Sequence, residues 1–88
     1  MPRVFLPASL RQLAGGVATL DAEGSTVREV LEDVSRRQPA LQGRLVDEEG
    51  MRPEIFVAVD GQESFGLDTP VAATSEVHIL LAMAGGFV

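Results

Sequence analysis

Two apolar periods run along this chain, and each predicts a different kind of element. Arg3-Val4-Phe5-Leu6 alternates with a period of two, so a strand is expected with Val4 and Leu6 toward a core and Phe5 on the opposite side. Pro7 ends it. Leu10 to Leu13 is a connection without an assigned shape, and Gly15-Gly16 signals a turn. Val17-Ala18-Thr19-Leu20 then reads as a second strand that makes a hairpin with the first. At Thr26 the period changes. Val27, Val30, Leu31 and Val34 recur at i, i+3, i+4 and i+7, the stripe of an amphipathic helix. Thr26 and Glu29 form a capping box at its start, Arg36 and Arg37 suit the negative end of its dipole, and Gln38-Pro39 closes it.

Pro39 to Pro53 reads as a loop anchored by Leu41 and Leu45, and within it Asp47-Glu48-Glu49-Gly50 is a solvated turn. The run lacks the ligand spacing of a calcium loop, so no metal site is assigned. Ile55 to Val59 is a strand, Asp60-Gly61 is a hairpin turn, and Gln62-Glu63 is a short returning edge. Leu67 to Val71 is a turn-rich crossover in which Leu67 caps the core. The last strand, Glu76 to Leu81, points Val77, Ile79 and Leu81 one way and His78 and Leu80 the other. The expected fold is α+β, a mixed sheet of four to five strands with one main helix on one face. One helix covers one face only. Phe5, Phe56, His78 and Leu80 therefore form, with Met83 beyond the strand, a candidate partner-binding surface on the other.

Composition narrows the function. The 88 residues suit one domain, and 45% hydrophobic against 23% charged is the balance of a folded protein. No cysteine is present, which removes disulfides, thiol catalysis and thiolate metal sites. A net charge of −6 disfavours nucleic acid, and no apolar run is long enough for a membrane span. The start does not read as a signal peptide, so a cytoplasmic location is expected. All seven cations are arginine. His78 is the only histidine; it has no companions for a zinc site, and Ser64 and Ser75 show no triad, so no catalytic residue is assigned.

The remaining signal is at the end of the sequence. The last strand runs into Ala82-Met83-Ala84-Gly85-Gly86, followed by Phe87-Val88. A glycine pair without Cβ atoms suits a chain that must thread a narrow channel. The division expected is a folded body over 1–81 and a tail over 82–88.

Element order and tail together resemble the β-grasp proteins, the ubiquitin fold. Val77-His78-Ile79-Leu80-Leu81 with Ala82 to Gly86 is similar to the end of ubiquitin, which carries basic residues at the places of Ala82 and Ala84. Arg44-Leu45 with Asp47, Phe56 to Gly61, and Glu76 to Gly86 resemble the bacterial sulfur carriers. Those are the molybdopterin synthase small subunit, the thiamine sulfur carrier and the carrier used with a cysteine synthase. Many of them have Pro where this chain has Leu81.

The resemblance implies that Gly86 is adenylated by a ubiquitin-activating-type adenylyltransferase and converted to a thiocarboxylate. Ala84 and Gly85 would thread the partner's active site. ATP and magnesium would be held by that partner, and this chain would bind no cofactor and catalyse nothing. Because Gly86 is joined to Phe87, the resemblance also implies a cut between them by a JAMM-type zinc metalloprotease. A synthase would then accept the sulfur, for a cysteine-like amino acid or a siderophore. Two alternatives stay open: a molybdopterin synthase small subunit with an extension, and a ubiquitin-like interaction module or protein modifier.

Overall fold

A computed structural model describes residues 1–64 and 66–81. In chain order it contains β1 (Arg3–Phe5), α1 (Ala8–Leu13), β2 (Thr19–Asp21), α2 (Val27–Arg37), a 3₁₀ turn at Pro39–Leu41, β3 (Val46–Asp47), β4 (Gly50–Met51), β5 (Ile55–Val59), β6 (Gln62–Ser64) and β7 (Glu76–Leu81). The main sheet has five strands in the order β2-β1-β7-β5-β6, and β3 and β4 form a separate pair. β7 runs parallel to β1 and antiparallel to β5, so the sheet is mixed. The expected α+β architecture is the one observed, and among the described residues no helix is long and apolar enough to cross a membrane.

The core is where the two periods meet. Val27, Val30, Leu31 and Val34, the apolar stripe of α2, are fully buried together with Val4, Val57 and Val77 from the sheet. Each such side chain contributes about 1.5–3 kcal/mol by leaving water. Leu41 and Leu45, the two expected anchors, are fully buried as well, and Leu67 packs half-buried against the same cluster.

Four local readings change. Leu10 to Leu13 belongs to α1, a helix too short to display a period; it buries Leu10, and Arg11 Nε donates to the Leu6 carbonyl at 2.8 Å. The first two strands do pair antiparallel, but across this helix, and β2 starts at Thr19 where Val17 was expected. The stretch from Pro39 to Pro53 contains the 3₁₀ turn and the β3–β4 hairpin. Within that hairpin Asp47 accepts the Glu49 N–H at 2.9 Å and pairs with Arg52 at 3.0 Å. These bonds hold its carboxyl below the usual range.

The capping box is also displaced by one residue. Thr26 Oγ1 accepts the Glu29 N–H as expected, but the Glu29 carboxylate takes the Ser25 N–H and hydroxyl. Thr26 itself bridges to Pro70, Val27 N–H donates to the Thr69 carbonyl, and Val71 N–H to that of Ser25. The start of α2 is therefore stitched to the crossover that leads into β7. Gly24 permits this entry: a Cβ there would lie 2.7 Å from the Val30 nitrogen.

Asp33 fixes the other end of that entry. Its buried carboxylate accepts the Glu23 N–H at 2.8 Å and bonds to both Arg36 and Arg37. Burial opposes ionisation, but Arg37, the Glu23 amide and Arg36 outweigh it and bring the pKa to about 2, from an ordinary 3.8. A pKa lowered by folding adds stability that is complete above the unfolded value and disappears as pH falls from there through about 2. Asp33→Asn is expected to cost about 2 kcal/mol at neutral pH, the scale of a hydrogen-bonded charge. Urea melts between pH 2 and 7 read both effects, because the variant loses less than the wild type on acidification. Parallel acid profiles would contradict this assignment.

Candidate functional site

β7 lies between β1 and β5 and is bonded to both. The register sets His78 beside Phe5 on one side and Ala58 on the other, and Leu80 directly opposite Phe56. Successive residues of a strand face opposite ways. Phe5, Phe56, Ala58, His78 and Leu80 thus share the face turned away from α2, as the alternation predicted. Phe56 and Leu80 are 42% and 50% exposed. The Phe5 and His78 rings stack with centroids 4.2 Å apart and planes within 3°, which leaves each half-buried. Ala58 completes this patch and was not singled out from sequence, although its place in the alternation marks it.

Polarity is graded along the same face. Around the start of β7, Arg3 lies 3.8 Å from Asp21, and Glu76 lies 3.9 Å from the His78 Nε2. Toward its end the side chains are apolar. The apolar part of the patch therefore sits toward the Leu81 end of β7.

Asp60 pins the start of β7. Asp60 and Gly61 form the expected two-residue turn with φ of 52° and 85°, the left-handed pair that a tight hairpin requires. The Asp60 carboxylate also accepts the Glu76 N–H at 2.9 Å and the Ser75 hydroxyl at 2.8 Å. The Glu76 amide and then Ser75 hold its pKa below the ordinary range. Nothing local in the sequence signals a partner so far down the chain, where Asp60-Gly61 announces only a turn.

The two serines considered for catalysis are engaged in turns: Ser75 with Asp60, and Ser64 with Thr69 at 2.6 Å. Among the described residues no group of three or more His, Cys, Asp or Glu is placed to hold a metal ion. A second feature escaped the sequence reading because its parts come from distant segments. Leu81, at the end of β7, lines a groove of about 320 Å³ with Leu10, Leu13, Arg44, Arg52 and Glu54. Met83, Ala84, Gly85, Gly86 and Phe87 lie outside the described residues, as does the whole expected tail over 82–88.

Comparison with known proteins reaches beyond the described residues, as far as Gly86. The model of the ThiS family matches residues 4–86. No curated protein sequence matches. Among solved structures, a chain from the BexX/CysO complex of Amycolatopsis orientalis is 34% identical, with a TM-score of 0.85 over 93% of this chain and 96% of that one. CysO of Mycobacterium tuberculosis is 27% identical, with a TM-score of 0.82 over 93% and 99%. Small archaeal modifier protein 1 from Methanosarcina acetivorans is 28% identical, with a TM-score of 0.83 over 97% and 95%.

Proposed function

The chain belongs to the ThiS family, the β-grasp sulfur carriers and ubiquitin-like modifiers, and from that membership we propose that it carries sulfur as a thiocarboxylate on Gly86. The observation that supports this most directly is the extent of the family match, which runs to Gly86 and leaves Phe87 and Val88 beyond it. The chemistry has three steps. Water, activated by a JAMM-type metalloprotease, adds to the Gly86 carbonyl and Phe87 leaves as its free amine. The freed carboxylate attacks the α-phosphorus of ATP in an adenylyltransferase, and pyrophosphate departs. Hydrosulfide then attacks the acyl carbon, displaces AMP and loses its proton, which leaves the thiocarboxylate. ATP and magnesium belong to the partner, because phosphoryl chemistry needs a cradle of cations and amides. A synthase accepts the sulfur for a small metabolite.

In this reading the folded body is an address. Phe5, Phe56, His78 and Leu80 give the enzymes an apolar face, with Met83 continuing it, and Ala84-Gly85 passes through the narrow entrance to the active site. A second reading, attachment of the activated Gly86 to an amine of another protein, is favoured by the likeness to a small archaeal modifier protein. The molybdopterin synthase alternative has a weaker likeness behind it, to a putative molybdopterin converting factor subunit 1 from Pyrococcus furiosus that is 25% identical with a TM-score of 0.66.

Intact mass of the protein recovered from its own cells tests the proposal. The expected product ends at Gly86, with a fraction heavier by the difference between sulfur and oxygen. A product that keeps Phe87 under sulfur demand would end the carrier reading. Branched peptides joining Gly86 to a lysine of another protein would move the conclusion to a modifier.

A further inference from the structure

The groove at the end of β7 sets an exposed cation beside apolar side chains. The chain carries −6 overall, yet this groove holds Arg44 and Arg52 against one acid, Glu54. Arg52 is already engaged: it lies 3.0 Å from Asp47 and 3.6 Å from Glu54. Arg44 is exposed, and among the described residues it makes no ion pair and no side-chain hydrogen bond. Arg3, Arg36 and Arg37 each face a carboxylate, whereas Arg28 of α2 likewise makes no ion pair among the described residues but does not line this groove.

Place gives this cation its meaning. Leu81 pairs with Ile55 at the last rung of β5–β7 and lines the groove itself. Arg44 thus lies at the end of the last described strand, where a protein that takes up the following residues would approach. Leu10 and Leu13 provide apolar ground beside the charge, with Leu13 38% exposed.

We infer that this groove docks an acidic segment of the adenylating enzyme, with Arg44 pairing to a carboxylate that flanks the entrance of the channel. The inference rests on the carrier reading and adds a determinant to it. The apolar face supplies contact area, while Arg44 orients the carrier so that residues 82–86 meet the channel. A free cation at the rim of an interface acts mainly on encounter and register, and its effect falls with salt.

The test uses protein ending at Gly86, the activating enzyme from the same cells, and ATP–pyrophosphate exchange. Arg44→Glu is expected to raise the KM for the carrier about tenfold at low salt while kcat stays within about twofold, the pattern of a lost rim charge. Arg44→Lys keeps the charge and is expected to stay near wild type. Added salt raises the wild-type KM toward that of Arg44→Glu. Because Arg44 supports no other side chain, melting temperatures should coincide; if Arg44→Glu melts earlier, Arg44→Gln reads the same contact without charge reversal. Exchange with an unchanged KM in Arg44→Glu overturns the inference and leaves the carrier reading standing. No exchange with the wild-type protein overturns both.

Discussion

Protein ending at Gly86 is expected to drive ATP–pyrophosphate exchange with its activating enzyme, and protein in which Gly86 is still joined to Phe87 is expected to give none above background. The reason is electronic before it is steric. A carboxylate oxygen carries a full charge to offer the α-phosphorus, whereas an amide oxygen belongs to a resonance-stabilised peptide bond and leaves no stable adenylate. Size adds a second barrier, since a channel that admits Gly85-Gly86 by virtue of their missing Cβ atoms has no room for a phenylalanine. The comparison needs only two proteins that differ by Phe87-Val88 and share one folded body. Equal exchange by both would show that the reaction does not occur at Gly86.

Replacing both Phe56 and Leu80 by aspartate is expected to weaken binding to that enzyme by at least about 30-fold, the scale of losing a hot-spot pair. The two residues face each other across β5 and β7 and are 42% and 50% exposed, so the change places two charges where a partner would lay an apolar surface. Neither lies in the buried cluster that includes Val57, Val77 and Ile79. The two aspartates repel across the strands, so the melting temperature should fall modestly while affinity collapses. Calorimetry on the double variant and a thermal melt distinguish the two effects. Unchanged affinity with an intact fold would remove this face from the interface.

Much of this was legible in the sequence because it depends on local rules. The helical stripe of Val27 to Val34, the Asp60-Gly61 turn and the alternation through Val77 to Leu81 each announce an element from a few neighbouring residues. The outward face followed, since one helix can cover only one side of a sheet. What stayed hidden depends on distance along the chain or on shortness. α1 spans six residues, and β3 and β4 two each, too few for either period to show. The reach of Asp60 to Ser75 and the gathering of Leu13, Arg44 and Leu81 at one groove exist only after folding. Gly86 stands out in the sequence only by its position after a last strand, since Gly15-Gly16 shows that a glycine pair in another place is only a turn.

The position of β7 has a mechanical side. It is an interior strand, parallel to β1 and held on its other flank by the five paired positions of β5. A force that draws on the chain beyond Leu81 while the body is held near Arg3 pulls two neighbouring parallel strands in opposite senses. Their hydrogen bonds are then strained together, in shear, and cannot open one by one as they would if a hairpin were peeled from its end. Unfolding under force follows the height of the barrier and not the equilibrium stability. A small domain built in this way resists a pull applied through the end of β7 and keeps its shape while the pull lasts.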